Sequence, residues 1–260
     1  MRKFSFAIYR LGLRSWLDGQ RAITASIDAA AYKVRDILRK GGPDVRERVF
    51  EALRDYVREL PATAETGGPS CVITGWPRTG KTLISFALAR KHGFSLISLD
   101  QLRDIYQDVD EDDLRIEMRQ FLLDELFMRF PEGLIVEGDD LIYVNRKRID
   151  DPRNISLNVC GSLTNRHKIK CFVIGNADAA VDSKVKALRT YQQTGKCWTV
   201  KSERWRDLPA RAREMIEDSR KLREMAPAHE VTYIEMDVIN FDRAVKHAAE
   251  KIVATPVPLG

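Results

Sequence analysis

Cysteine is scarce in this chain of 260 residues, and its four copies follow no pattern that would build a site. They lie at positions 71, 160, 171 and 197 without any C-x-x-C pair, which excludes the sequence signatures of a disulfide framework and of a zinc site. Cys71 and Cys171 fall in apolar runs, so we expect buried, reduced thiols. The four histidines are scattered without ligand spacing.

Long apolar runs and a strong charge of one sign are also missing. No run approaches the roughly 18 residues of a membrane span. The net charge is only +5, from 43 basic and 38 acidic residues, which suits a polyanionic ligand but does not by itself predict binding to DNA or RNA. The first 17 residues are basic and contain no acid. That composition is typical of an amphipathic segment and, as a lesser alternative, of an organelle transit peptide. We expect a cytoplasmic protein.

Apolar residues make up 44% of the chain, which is enough for a full core. From residue 70 onward short apolar runs alternate with segments of helical periodicity. Five such runs separated by helices predict an α/β fold, a five-stranded parallel sheet with helices on both faces. The predicted strands are 71–74, 95–99, 134–136, 171–174 and 231–235.

Residues 1–66 are predicted to form a helical N-terminal appendage and linker, ahead of a main domain at 67–260. Gly41-Gly42-Pro43 separates two amphipathic helices, with Asp44 as the predicted N-cap of the second and Pro61 at its end. The apolar stripes of these helices need a partner surface. Either the main domain or a second copy of the chain, in a homo-oligomer, would satisfy them.

Residues 75–82 match G-x-x-x-x-G-K-[ST] between a predicted strand and a predicted helix. Gly75 and Gly80 permit backbone torsions that side chains would forbid, and amides at a helix N-terminus point at phosphate oxygens. Lys81 can reach the outer phosphates, and the hydroxyl of Thr82 can join the shell of a bound Mg²⁺. The predicted nucleotide-binding residues are Gly75, Trp76, Pro77, Arg78, Thr79, Gly80, Lys81 and Thr82.

Acidic residues follow the second and third predicted strands, where an open α/β sheet places its function. Asp100 and Arg103 lie one helical turn apart and suit an acceptor that carries hydroxyls and an anion. Glu137 follows the third strand, where an acid can hold the water shell of Mg²⁺ or receive a proton from the nucleophile. Asp139 and Asp140 are weaker candidates, because either acid could simply cap the segment that follows.

Basic residues after the fourth strand are candidates to stabilise a transferring phosphoryl group. Lys184 and Arg189 lie on one predicted helix there, and 190–210 is predicted to be a lid-like region that excludes water. Further basic residues at 146–148, Arg153 and 166–168 could bind a phosphate-bearing acceptor or a nucleic acid, but solvated loop charge is the favoured interpretation. The cations of the lid-like stretch are Lys196, Lys201, Arg204, Arg206, Arg211 and Arg213.

Taken in order, these motifs resemble those of small P-loop kinases, the adenylate-kinase and shikimate-kinase-like group of the P-loop NTPase superfamily. The resemblance covers about 70–255. It implies that Asp100 and Arg103 bind the acceptor and that Arg189 contacts phosphates beside the lid. The chain departs from the group at Arg78 and Thr79, which replace small residues, and at Trp76, which brings an aromatic to the rim of the loop.

The sequence therefore predicts phosphoryl transfer from ATP to a small-molecule acceptor (a nucleotide, sugar or small metabolite), with Lys81, Asp100, Glu137 and Arg189 as catalytic residues. Thr82, and Glu137 through water, would hold Mg²⁺. The alternative is an ATPase of the AAA+ type, acting as a switch or motor with a protein or nucleic-acid partner. Val136-Glu137-Gly138 and Asn176 favour the alternative. The missing arginine-finger motif and the closing strand and helix favour the kinase. A GTPase would need N-K-x-D, which is absent.

Overall fold

The computed structural model describes residues 13–61, 68–106, 108–109, 111–142, 155–193 and 206–256, with the backbone alone at 13–25, 112 and 140. Five strands form one sheet in the order β2-β3-β1-β4-β5, and every pair is parallel. The predicted α/β fold is confirmed. The strands are β1 Cys71–Gly75, β2 Ser95–Ser98, β3 Leu134–Gly138, β4 Lys170–Gly175 and β5 Thr232–Glu235.

The three central strands are buried at every position, whereas the edge strands β2 and β5 are buried only in part. A strand covered on both faces has no solvent side, so its sequence shows a continuous apolar run instead of alternation. Cys71 and Cys171 lie in β1 and β4 and are each 2% exposed. Burial raises the pKa of the Cys71 thiol to about 12, so it stays protonated.

Nine helices are described, and α3 and α6–α9 surround the sheet. The step from β1 to β2 runs in the opposite direction to the steps from β3 to β4 and from β4 to β5. Right-handed crossovers therefore put α3 on one face and α6–α8 on the other, and α3 indeed packs with α9, and α7 with α8. The helices are α1 Leu13–Lys40, α2 Val45–Glu59, α3 Lys81–His92, α4 Leu99–Tyr106, α5 Asp112–Arg129, α6 Asn158–His167, α7 Val181–Gln192, α8 Leu208–Met225 and α9 Phe241–Ala254.

The described residues divide into two compact units. One takes those within Met1–Ala62 and Gln101–Arg129, and the other takes those within Thr63–Asp100 and Phe130–Gly260, including the whole sheet. In the first unit α2 packs against α1 and α5, and the guanidinium of Arg129 donates hydrogen bonds to the carbonyls of Val57 and Leu60 at 2.7 and 2.6 Å. In the described part of the chain, no helix is long and apolar enough to cross a membrane.

The N-cap of α2 lies at Asp44, as the sequence predicts, but the side chain of this residue does not cap the helix. Its carboxylate instead lies 3.7 Å from the guanidinium of Arg48, one turn into the helix. The helix therefore begins where the glycine-proline break ends, without the hydrogen bond that normally stabilises such a start.

Ser70 fixes the entrance to β1 and the start of β3. Its hydroxyl donates to the carbonyl of Phe130 at 2.7 Å and accepts from the amide of Leu134 at 2.9 Å. The side chain is fully buried, so both backbone groups depend on it for their hydrogen bonds.

We expect Ser70→Ala to lower the free energy of unfolding by about 1–3 kcal/mol, because it leaves a buried amide and a buried carbonyl without this partner. Urea denaturation followed by circular dichroism measures the change. Ser162→Ala, at an exposed position of α6, is the matched control and should change the stability little. A Ser70→Ala variant as stable as the control would show that water replaces the hydroxyl.

Candidate functional site

The loop between β1 and α3 has a backbone that only certain residues can adopt. Gly75 has φ +134°, and a Cβ atom there would lie 2.1 Å from the carbonyl oxygen of Ile174. Gly80 has φ +102°. Arg78, at the tip, has φ +65° without being glycine, a conformation that costs on the order of 1 kcal/mol and persists only where the surroundings hold it. The two glycines of the predicted phosphate loop are therefore required by the fold.

The first turn of α3 presents an uncapped helix N-terminus. Its N-cap is Gly80, and no side chain of the described residues accepts a hydrogen bond there. The first turn also contains no acid. Because the first amides of a helix have no partner within it and carry the positive end of its dipole, such a terminus binds anions. These features fit a phosphate group.

Lys81 is buried in the loop that it follows. Its amino group donates to the carbonyls of Gly75 and Trp76, both at 2.8 Å. Burial lowers the pKa of this amine, while the negative charges of Asp139, Glu137 and Asp100 oppose the effect. The carbonyls of the loop thus accept the hydrogen bonds of the lysine. A phosphate in the same place would offer charged acceptors, which form stronger hydrogen bonds.

Glu137, near the end of β3, meets Thr82, in the first turn of α3. The hydroxyl of Thr82 donates to Oε2 of Glu137 at 3.3 Å, and the glutamate is only 6% exposed. Burial raises the pKa of Glu137, with Lys81 acting against that shift and Asp100 adding to it. A hydroxyl and a carboxylate at this distance form two of the oxygen ligands, direct or through water, that Mg²⁺ prefers.

The predicted acceptor residues fall in different units. Asp100 is exposed at the start of α4 and acts electrostatically on both Lys81 and Glu137. Asp139 also acts electrostatically on Lys81, so the first acid after β3 belongs to the site. Arg103 belongs to the other compact unit.

Lys184 reaches the phosphate loop from α7. Its amino group donates to the carbonyl of Arg78 at 3.1 Å and to Oδ1 of Asn176 at 2.6 Å. The side chain is 2% exposed, and burial, reinforced by the positive charge of Lys81, lowers the pKa of Lys184 to about 7. Of the two cations predicted on this helix, Lys184 is the one that contacts the loop, whereas Arg189 is exposed.

The unusual middle of the loop packs against α7 and α8. Arg78 stacks its guanidinium 4.3 Å from the ring centroid of Tyr191 and donates to its hydroxyl at 2.8 Å. Trp76 is 3% exposed, with the guanidinium of Arg211 5.9 Å from its ring centroid. The expectation of an aromatic at the loop rim is therefore wrong: the indole is buried, and Trp76 can offer a ligand only backbone contacts.

Several predicted cations have no described place in the site. Arg206 and Arg213 are exposed. Three positions of the lid-like region, Lys196, Lys201 and Arg204, lie outside the described residues, as do 146–148 and Arg153.

Glu235 was not predicted, although it holds the turn ahead of α7. Its two carboxylate oxygens accept hydrogen bonds from the backbone amides of Ala177 and Asp178 at 3.0 and 3.1 Å. Its negative charge raises the pKa of Lys184, against the effect of burial. Nothing in the strand sequence marks this glutamate, because its role depends on the pairing of β5 with β4.

Comparison with known proteins assigns no family. A scan of protein-family models finds none that matches the chain, and a search of curated proteins finds no match either.

The low pKa of Lys184 predicts a pH-dependent stability. Between about pH 7 and pH 10.5 this lysine is protonated in the unfolded chain and neutral in the folded one. Because the unfolded state then binds more protons, its contribution to the free energy of unfolding rises with pH, by up to about 1.4 kcal/mol per pH unit. Urea denaturation at pH 7, 8 and 9 should show wild type gaining stability relative to Lys184→Met.

The control for this series is Lys246→Met, which alters an exposed lysine of α9. Its stability should run parallel to that of wild type across the pH range. A Lys184→Met series that also runs parallel to wild type would contradict the shifted pKa.

Proposed function

We propose that this protein is a P-loop phosphotransferase that moves the γ-phosphoryl group of ATP to a small-molecule acceptor. The motif order that resembles small P-loop kinases supports this assignment. The observation that carries it is the meeting of Thr82 and Glu137, 3.3 Å apart, beside an uncapped helix N-terminus. Phosphoryl transfer depends mostly on positioning and charge stabilisation, and these groups supply both for a triphosphate.

In this proposal the triphosphate lies against residues 75–82. The amides of the first turn of α3 bind phosphate oxygens, and Lys81 exchanges its two carbonyl acceptors for them. Thr82, with Glu137 through water, would hold Mg²⁺, which supplies charge neutralisation at the phosphates when bound. Both residues offer the hard oxygen ligands that this ion requires.

Either Asp100 or Glu137 orients the acceptor. A carboxylate within reach of an acceptor hydroxyl accepts its proton while the hydroxyl oxygen forms the new bond to phosphorus. The bond between the γ-phosphorus and the oxygen that bridges it to the β-phosphate breaks, and ADP leaves with that oxygen. Because burial and Asp100 both raise the pKa of Glu137, this carboxylate is a stronger base than an exposed glutamate.

The test is to incubate the full chain with γ-labelled ATP, Mg²⁺ and panels of nucleotides, sugars, shikimate-like acids and small metabolites. Label that appears on one acceptor class supports the phosphotransferase. Release of free phosphate that increases only with a protein or nucleic-acid partner would favour the AAA+-type alternative. No ATP binding at all would refute both.

We expect Lys81→Ala to reduce phosphoryl transfer by about a hundredfold to a thousandfold, because one positioned donor to the developing charge contributes roughly that much. Label transfer at saturating ATP measures the loss. Lys91→Ala, at an exposed position of the same helix, should transfer label at the wild-type rate. Undiminished activity of Lys81→Ala would remove the loop from the mechanism.

Glu137→Gln should separate catalysis from binding. Glutamine keeps an oxygen for Thr82 but has no charge and accepts no proton, so we expect kcat to fall by at least about a hundredfold while ATP affinity changes far less. Steady-state rates and ATP titrations measure the two effects, with Glu224→Gln on the exposed side of α8 as control. Equal losses in rate and affinity would indicate a structural acid.

A further inference from the structure

Lys184 and Asn176 link the loop at residues 75–82 to the segments that follow β4 and β5. The amino group of Lys184 bridges the carbonyl of Arg78 and Oδ1 of Asn176. Arg78 is the residue of the loop that has a positive φ without being glycine. The bridge therefore lies at the most strained residue of the loop, where a fixed acceptor geometry matters most.

Two further hydrogen bonds fix the position of Asn176. Its amide nitrogen Nδ2 donates to the carbonyl of Met236 at 2.9 Å, and its backbone amide donates to the hydroxyl of Ser219 at 3.2 Å. The side chain is 1% exposed. Since Ser219 belongs to α8 and Met236 follows β5, the position of Asn176, and through it that of Lys184, is set by two separate elements.

We propose that Lys184 and Asn176 act as a positioning pair that holds the phosphate loop in the conformation that binds a nucleoside triphosphate. This inference rests on the proposed function. Lys184 contacts the outer, carbonyl side of the loop, so it acts through the backbone and not on the reacting atoms. Losing the pair frees the Arg78 peptide, and the loop amides lose their common alignment.

The charges around Lys184 make its action depend on pH. Lys81 lowers its pKa and Glu235 raises it, with the net value at about 7. On α8, the guanidinium of Arg220 donates to the carbonyl of Ala177, and that of Arg223 pairs with Asp178. The negative charge of a bound triphosphate raises the pKa of a nearby buried amine, so binding takes up a proton.

The experiment is isothermal titration calorimetry of the full chain with Mg·ATP from pH 6.5 to 8.5, in two buffers of different ionisation enthalpy. We expect wild type to take up protons above pH 7, and its affinity to fall as pH rises. Lys184→Met should weaken binding by about tenfold or more and flatten this pH dependence. Lys246→Met should match wild type in both.

Each outcome decides one question. Wild type that binds Mg·ATP while Lys184→Met binds equally well, with the same pH profile, overturns the positioning pair and leaves the proposed function intact. Wild type that binds no nucleotide overturns both. Should Lys184→Met fail to fold, as judged by circular dichroism, Asn176→Ala replaces it, because it removes the side-chain acceptor of Lys184. Weaker binding of Mg·ATP than in wild type supports the pair, and unchanged binding refutes it.

Discussion

The central place of β1 in the sheet is the constraint on which the site depends. Because β1 pairs with β3 on one side and with β4 on the other, its carboxyl end lies beside the carboxyl ends of both neighbours. On the β3 side Thr82 meets Glu137. On the β4 side the backbone at Gly75 approaches Ile174 so closely that no side chain fits. Parallel pairing alone, before any catalytic group is considered, gathers the loop, the acid and the lysine of α7 at one edge.

That edge concentrates buried charge. Burial lowers the pKa of both Lys81 and Lys184. The acids Asp100, Glu137 and Asp139 oppose this effect only in part at Lys81, and the positive charge of Lys81 lowers the pKa of Lys184 further. Charges removed from water are stable only when paired. A polyanion would supply the missing counter-charge, which supports the phosphorylated ligand of the proposed function.

The fold could be predicted from the sequence because its signals are local. Continuous apolar runs identified the five strands. On α5, Leu114, Met118 and Leu122 recur at helical spacing and are buried, but such spacing says nothing about which helix a buried face meets. The N-cap at Asp44 shows a similar limit, since residue type located the helix start but not the hydrogen bond.

The loop motif likewise located the candidate site, while the side chains that support it depend on tertiary neighbours. Lys184 and Arg189 looked equivalent as cations on one helix. Lys184 is buried against the loop because of the way α7 packs, which the sequence does not show. Trp76 was expected at the rim of the loop, but its side chain is buried, with Arg211 of α8 near its ring.

The internal hydrogen bonds of Lys81 have a consequence for selectivity. Two peptide carbonyls already occupy its amino group, so an incoming anion competes against the loop itself and not against water. A monovalent anion that replaces one of these carbonyls recovers little of the free energy lost when the hydrogen bond to the loop breaks. A chain of linked phosphates can replace both at once and engage the helix terminus in the same step. Under the proposed function, the resting loop would therefore favour linked phosphates over weakly charged solutes.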